Sequence, residues 1–207
     1  MNEHYFTANP ESEHRYAPCQ YAYRDCALRF VTDAGVFSRG EVDFGTGLLL
    51  NALPEALFGR VLDLGCGWGA IGVSVGKKWP GCAVVMSDVN ERALALAGRN
   101  ARENGVTAQT VKSCGLDSVP GMFDFILTNP PIRAGKQVIY PMFAACAGQL
   151  KDGGEMYLVI RRQQGAESAI RFLKTVFQTV DTIEKSGGFW VIRCRGGKKH
   201  DLRSGVL

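Results

Sequence analysis

Three short stretches of this chain bring together residue types that can do chemistry. The first is Asn129-Pro130-Pro131, which follows the apolar run from Phe123 to Leu127 and Thr128. Proline has no N–H, so this corner offers backbone carbonyl acceptors only. Pro130 holds Asn129 extended, and the Asn129 amide oxygen adds one more acceptor. A rigid group of acceptors suits a ligand carrying an N–H₂ group. The alternative is a stiff turn that merely ends a strand. The run before it has the length and β-leaning composition of a buried strand. Asn129 therefore falls at a strand's carboxyl end, where open α/β sheets keep their ligands.

The second stretch is the glycine-rich Asp63-Leu64-Gly65-Cys66-Gly67-Trp68-Gly69-Ala70, and the third is Asp88, 23 residues after Gly65. Glycines let the backbone turn tightly and let a ligand approach it closely. An acid at the end of the following strand can take both hydroxyls of a ribose. Together they predict a nucleoside-containing cofactor. Gly65-x-Gly67-x-x-Ala70 satisfies the loose dinucleotide fingerprint and equally a Gly-x-Gly-x-Gly loop, so the loop alone leaves the nucleoside open. The acceptor cluster at Asn129 separates the two readings: hydride transfer has no use for it, whereas an amine nucleophile does.

The elements that must position these residues follow from the strand–helix alternation. Strands are expected over Ala27 to Thr32, Val61 to Leu64, Ala83 to Ser87, Ala108 to Lys112, Phe123 to Leu127, Glu155 to Ile160, Thr179 to Glu184 and Phe189 to Cys194. Helices are expected over Leu48 to Leu57, Ala70 to Lys78, from Asn90 to Asn104-Gly105, Gln137 to Leu150 and Gly165 to Phe177. Alternation of this kind gives an α/β fold: a doubly wound, mostly parallel sheet with helices on both faces. Its last two strands are close enough to pair antiparallel. At 207 residues one domain is expected over 1–207, with 1–25 an irregular N-terminal extension and 196–207 a loose basic tail.

Composition narrows the function classes. The longest apolar runs fall well short of the ~20 residues that span a bilayer. Met1-Asn2-Glu3-His4 lacks the basic start and apolar core of a signal peptide. A cytoplasmic location is expected. Seven scattered cysteines without a Cys-x-x-Cys pair fit reduced thiols better than disulfides or a zinc site; no metal is expected. The net charge of +4 is uneven: 1–60 carry −3, 61–128 carry zero and 129–207 carry +7. The basic excess begins at the Asn129 corner and points to a polyanionic partner or to a solvated basic surface.

Asp63 to Gly69, then Asp88, then Asn129-Pro130-Pro131-Ile132 resembles the class I S-adenosylmethionine-dependent methyltransferases. The subgroup resembled contains the 16S ribosomal RNA guanine-N2 methyltransferases and their small single-domain relatives. Gly35-Val36-Phe37-Ser38 with Asp43-Phe44-Gly45-Thr46 resembles that subgroup's lead-in, Asn129 to Lys136 its catalytic loop, and His4-Tyr5-Phe6 its opening. The resemblance implies a Rossmann-like seven-stranded sheet whose final, antiparallel strand inserts between its neighbours. It implies S-adenosyl-L-methionine as cofactor, with Gly65, Cys66 and Gly67 beneath it, Asp63 holding its amino end, Asp88 on the ribose and Val89 on the adenine. The subgroup commonly has an acid bonding the adenine amine; here Ser113 or Cys114 stands in its place, with Asp117 or a backbone group as substitutes.

The chemistry of an exocyclic amine gives the expected mechanism. Its lone pair is delocalised into the base, so it attacks poorly. The Asn129 oxygen and the Pro130 carbonyl can hold its two hydrogens and aim the lone pair at the methyl group, with no strong base needed. The base must be unpaired or flipped out. Related amine methyltransferases often have an aromatic after the prolines; Ile132 takes that place, so Phe37 is the stacking candidate. Pro131, Ile132, Arg133 and Lys136 are expected to touch substrate, and Arg133, Lys136, Arg161 and Arg162 to meet RNA phosphates. The expected partner is ribosomal RNA or the small ribosomal subunit, with the protein a monomer. The competing readings are transfer to adenine N6 or a protein glutamine, a non-catalytic RNA-binding relative, and a nicotinamide-dependent oxidoreductase.

Overall fold

The computed structural model describes residues 12–197. It orders seven strands into one sheet: β3 (Arg60–Leu64), β4 (Ala83–Asp88), β5 (Ala108–Lys112), β6 (Phe123–Thr128), β7 (Leu150–Arg161), β8 (Phe177–Ser186) and β9 (Phe189–Gly197). Their order across the sheet is β5-β4-β3-β6-β7-β9-β8. β3 to β7 pair in parallel, and β9 runs antiparallel between β7 and β8. The last strand thus inserts between its neighbours, as the resemblance implies.

Helices α1 (Phe44–Asn51), α2 (Ala70–Lys78) and α3 (Glu91–Glu103) share one apolar cluster with Val61, Val84, Phe125 and Val159 of the sheet. Helices α4 (Lys136–Gln149) and α5 (Ala166–Val176) share the other, with Leu62, Ile126, Met156, Leu158 and Ile192. Residues of the central strands go to both faces, so these strands are largely apolar, with Asp63 in β3 and Asp124 in β6 the charged exceptions within them. β6 shows the consequence: Phe125 and Leu127 face one cluster and Phe123 and Ile126 the other, all buried.

Several expectations need correction. Residues 17–23, expected to be irregular, form β1 (Ala17–Tyr23), a strand paired antiparallel with β2 (Cys26–Thr32). Cys19 and Tyr23 on one side of it are buried and Gln20 and Ala22 are exposed, the period-two pattern of a half-covered strand. The hairpin is a separate two-stranded sheet lying over the α3 face, and Asn100 of α3 and Asn104 at its C-cap bond the backbone of Val31 and Arg29 in β2. The first helix begins at Phe44, four residues earlier than expected, because Asp43 caps it by accepting from the N–H groups of Gly45 and Thr46. It ends at Asn51, before Pro54. β7 begins at Leu150, earlier than the expected start at Glu155, so Asp152-Gly153-Gly154 lies inside a strand with an irregular register. Gly196 and Gly197 end β9; the rest of the expected tail and the His4-Tyr5-Phe6 opening lie outside the described residues.

Candidate active site

The carboxyl ends of β3, β4, β6 and β7 converge on one cavity of about 670 Å³. The sheet order β4-β3-β6-β7 puts these ends side by side, and the crevice there is where such folds bind ligands. The glycine loop joins β3 to α2. Gly65 and Gly67 take φ of +69° and +54°, and a Cβ on either would meet no protein atom within 4 Å. Their free space opens on the cavity. Gly69 differs: at φ +90° a Cβ would lie 3.2 Å from Ala97 and from Met86, so this glycine serves the packing of α2 on α3 and β4.

Asp88 ends β4 at the loop's edge. Its Oδ2 accepts from the Gly67 N–H at 2.8 Å and its Oδ1 from the Asn90 N–H at 2.9 Å. A carboxylate has about four acceptor positions, so these two bonds leave acceptor capacity for a hydroxyl donor. Burial raises the Asp88 carboxyl above its ordinary value against the pull of those N–H groups.

Asp63 departs from its expected place. It is 1% exposed and does not line the cavity. Its Oδ2 accepts from the Gly72 N–H of α2 at 2.8 Å, while Oδ1 is buried without a hydrogen-bond partner among the described residues. Burial pushes its carboxyl up to about 7, aided by the nearby charge of Asp88.

The Asn-Pro-Pro corner adjoins the glycine loop. The Thr128 hydroxyl donates to the Leu64 carbonyl at 2.8 Å, tying the end of β6 to the end of β3. The Asn129 Nδ2 donates to Thr46 Oγ1 at 3.0 Å and lies 3.3 Å from each carboxylate oxygen of Asp43. A carboxylate only accepts, so it fixes which end of the amide faces it. The Asn129 Oδ1 takes no protein donor among the described residues and is not sealed off from solvent, and Asn129 lines the cavity. The Pro130 carbonyl accepts from the Ile132 N–H at 2.8 Å, around Pro131 at φ −74°, ψ 75°. This is an inverse γ-turn, and it leaves the second lone pair of that carbonyl available.

Most of the other expected residues line the same cavity: Phe37, Cys66, Val89, Ser113, Cys114, Pro131, Ile132 and Arg133. Burial holds the Cys66 thiol protonated. Ser113 Oγ accepts from the Ser118 N–H. Asp117 does not line the cavity, nor does Lys136, which starts α4 outside it. Sequence reasoning missed Phe44 and Phe189, whose rings lie 5.7 Å apart on the cavity wall, with Phe44 55% exposed. An aromatic directly after the Asp43 cap was the available signal. Among the described residues no group of three or more His, Cys, Asp or Glu is placed to hold a metal, and no helix is long and apolar enough to cross a membrane.

Fold and site together define a class I methyltransferase, and the comparisons agree. The sequence profile of the family described as "Methyltransferase small domain" matches residues 27–193, and the chain belongs to that family. It is 40% identical over 200 residues to the uncharacterized protein YbxB of Bacillus subtilis, covering 94% of this chain and 99% of that one. It is 37% identical over 191 residues to ribosomal RNA small subunit methyltransferase C of Pseudoalteromonas atlantica, covering 89% of this chain and 52% of the relative. Among solved structures, a T. thermophilus 16S rRNA N2 methyltransferase in complex with AdoMet and guanosine superposes with a TM-score of 0.80 at 26% identity, over 90% of this chain and 52% of the other. The chain thus spans about half the length of the ribosomal RNA methyltransferases it matches. S-adenosylmethionine is the methyl donor of this class, and the residues present fit it: two open glycines, an acid with spare acceptor positions and a largely apolar wall of sufficient size.

Proposed function

We propose that this protein methylates the exocyclic N2 amine of a guanine in 16S ribosomal RNA, using S-adenosylmethionine. The observation that carries the reading is the Asn129 amide. Its nitrogen is held by Asp43 and Thr46, which leaves its oxygen as an acceptor without a protein donor among the described residues, on a residue that lines the cavity with the glycine loop. Bound S-adenosylmethionine supplies an electrophilic methyl group. Gly65, Gly67, Val89 and Asp88 bind and orient its nucleoside, with Ser113 and Cys114 at the far edge. The Asn129 oxygen and the Pro130 carbonyl accept the two amine hydrogens and turn the nitrogen lone pair toward the methyl. Positioning of this kind supplies acceleration without a strong base: the N–C bond would form as the sulfonium C–S bond breaks, S-adenosylhomocysteine would leave as a neutral thioether, and the extra amine proton would pass to solvent, with the fixed acceptors stabilising the charge that grows on the amine. Phe37 and Phe44 flank the base, replacing the aromatic that Ile132 does not provide. Arg133 reaches the adjoining phosphate. The protein acts in the cytoplasm, as a monomer, on ribosomal RNA or the small subunit.

The test is transfer of a tritiated methyl group to total RNA, small ribosomal subunits and protein, followed by nucleoside analysis. The reading expects label in N2-methylguanosine from the small-subunit RNA. Label in N6-methyladenosine or in protein glutamine would replace it with one of the competing assignments.

A further inference from the structure

Arg161, at the end of β7, lines two concavities at once. One is the cavity of the proposed active site; the other is a groove of about 570 Å³. Arg162 and Arg171 also line the groove, with the Gly187-Gly188 turn between β8 and β9 at its rim. The Gly188 carbonyl accepts from the Arg162 N–H at 2.8 Å, which fixes the rim to the end of β7. One acid, Glu167, lines the groove, and it lies 3.4 Å from the Arg162 Nε. Arg171 has no ion-pair partner among the described residues, and the Arg161 guanidinium lies over the Phe189 ring at 5.3 Å. The groove therefore carries a net positive charge built from guanidinium groups, which donate hydrogen bonds and accept none.

Guanidinium groups match phosphate oxygens in charge and in fork geometry. Three of them spread along a groove suit a row of phosphates better than one isolated anion. The row leads into the cavity that holds the Asn129 oxygen, and Arg161 is shared between them. We propose that the groove seats the phosphodiester backbone of the substrate RNA strand next to the nucleotide whose base enters the active site. The proposal rests on the reading of the acceptor as an RNA base. A single strand is the form it takes, because the base must leave any helix to reach Asn129. Contacts of this type fix register and strand direction and do not read sequence.

The test uses the full chain and a fluorescent single-stranded oligoribonucleotide, with affinity measured across a salt series. Arg162→Glu/Arg171→Glu is compared with wild type and with Arg99→Glu on α3. The double variant is expected to bind RNA at least tenfold more weakly, while S-adenosylmethionine affinity and melting temperature stay unchanged. Arg162→Ala/Arg171→Ala is expected to lower the slope of log affinity against log salt by about 1.4, at about 0.7 per lost phosphate contact on a single strand. Unchanged RNA affinity and slope in both double variants would overturn the proposal, as would an equal loss in Arg99→Glu. Failure of the methylation reading gives a different result: no RNA product from wild type, with arginine-dependent RNA binding intact.

Discussion

Asp43 caps helix α1 and holds Asn129: the same carboxylate accepts from the Gly45 and Thr46 N–H groups and lies 3.3 Å from the Asn129 Nδ2 at both of its oxygens. One side chain thus couples the start of a helix to the orientation of the amide across the cavity. Asparagine caps a helix about as well as aspartate, but its side chain carries its own N–H₂ group and does not compel the Asn129 amide to face one way. Asp43→Asn is therefore expected to leave the melting temperature within a few degrees of wild type and cofactor affinity unchanged. Turnover is expected to fall at least tenfold. Thermal unfolding, calorimetry and a methyl-transfer assay together check this, and undiminished turnover would break the coupling.

The two kinds of glycine in the loop separate experimentally. Alanine at Gly65 meets no protein atom, although its positive φ costs about 1–2 kcal/mol. Its methyl occupies the space facing the cavity, so S-adenosylmethionine affinity is expected to drop at least tenfold with modest loss of stability. Alanine at Gly69 presses on Ala97 and Met86 at 3.2 Å, and there the larger effect is expected on the melting temperature. The reverse pattern in paired calorimetry and unfolding experiments would exchange the two assignments.

Asp88→Ala is expected to weaken S-adenosylmethionine binding at least tenfold, because both the ribose acceptor and the Gly67 tether are lost. Equal affinity by calorimetry would remove the ribose assignment.

Asp63 predicts a pH dependence of stability. Its carboxyl is raised from 3.8 to about 7 in the fold. The native state keeps a proton that the unfolded chain releases as pH climbs past about 4. The contribution is thus fully present below the unfolded value, is lost as pH rises toward about 7, and is flat above. Denaturant unfolding from pH 4.5 to 7.5 is expected to show stability falling more steeply in wild type than in Asp63→Asn, by up to about 1.4 kcal/mol per pH unit. Parallel curves would mean that Asp63 is ionised in the native protein.

Much of this arrangement was legible in the sequence because several local signals agreed. The Asp63 to Gly69 loop, the Asp88 spacing and the Asn-Pro-Pro stop each end a strand on the same side of the sheet, and parallel topology then brings them together. What escaped depends on contacts between distant residues. β1 was hidden by Pro18 and by tyrosines whose alternation shows only when β2 pairs with them. Gly45 and Gly47 disguise the first turn of α1, which the Asp43 cap starts. The depth of Asp63 and the exclusion of Lys136 from the cavity are set by how α2 and α4 pack, which no local spacing encodes. Nor does any motif bring Phe44 beside Phe189, 145 residues later.

The central claim is that the Asn129 amide oxygen grips the amine that receives the methyl group. Single-turnover methyl transfer by Asn129→Ala, with S-adenosylmethionine affinity measured on the same sample, tests it most directly. The account predicts cofactor binding within a few fold of wild type and a transfer rate at least a hundredfold slower. A transfer rate equal to that of wild type would contradict it.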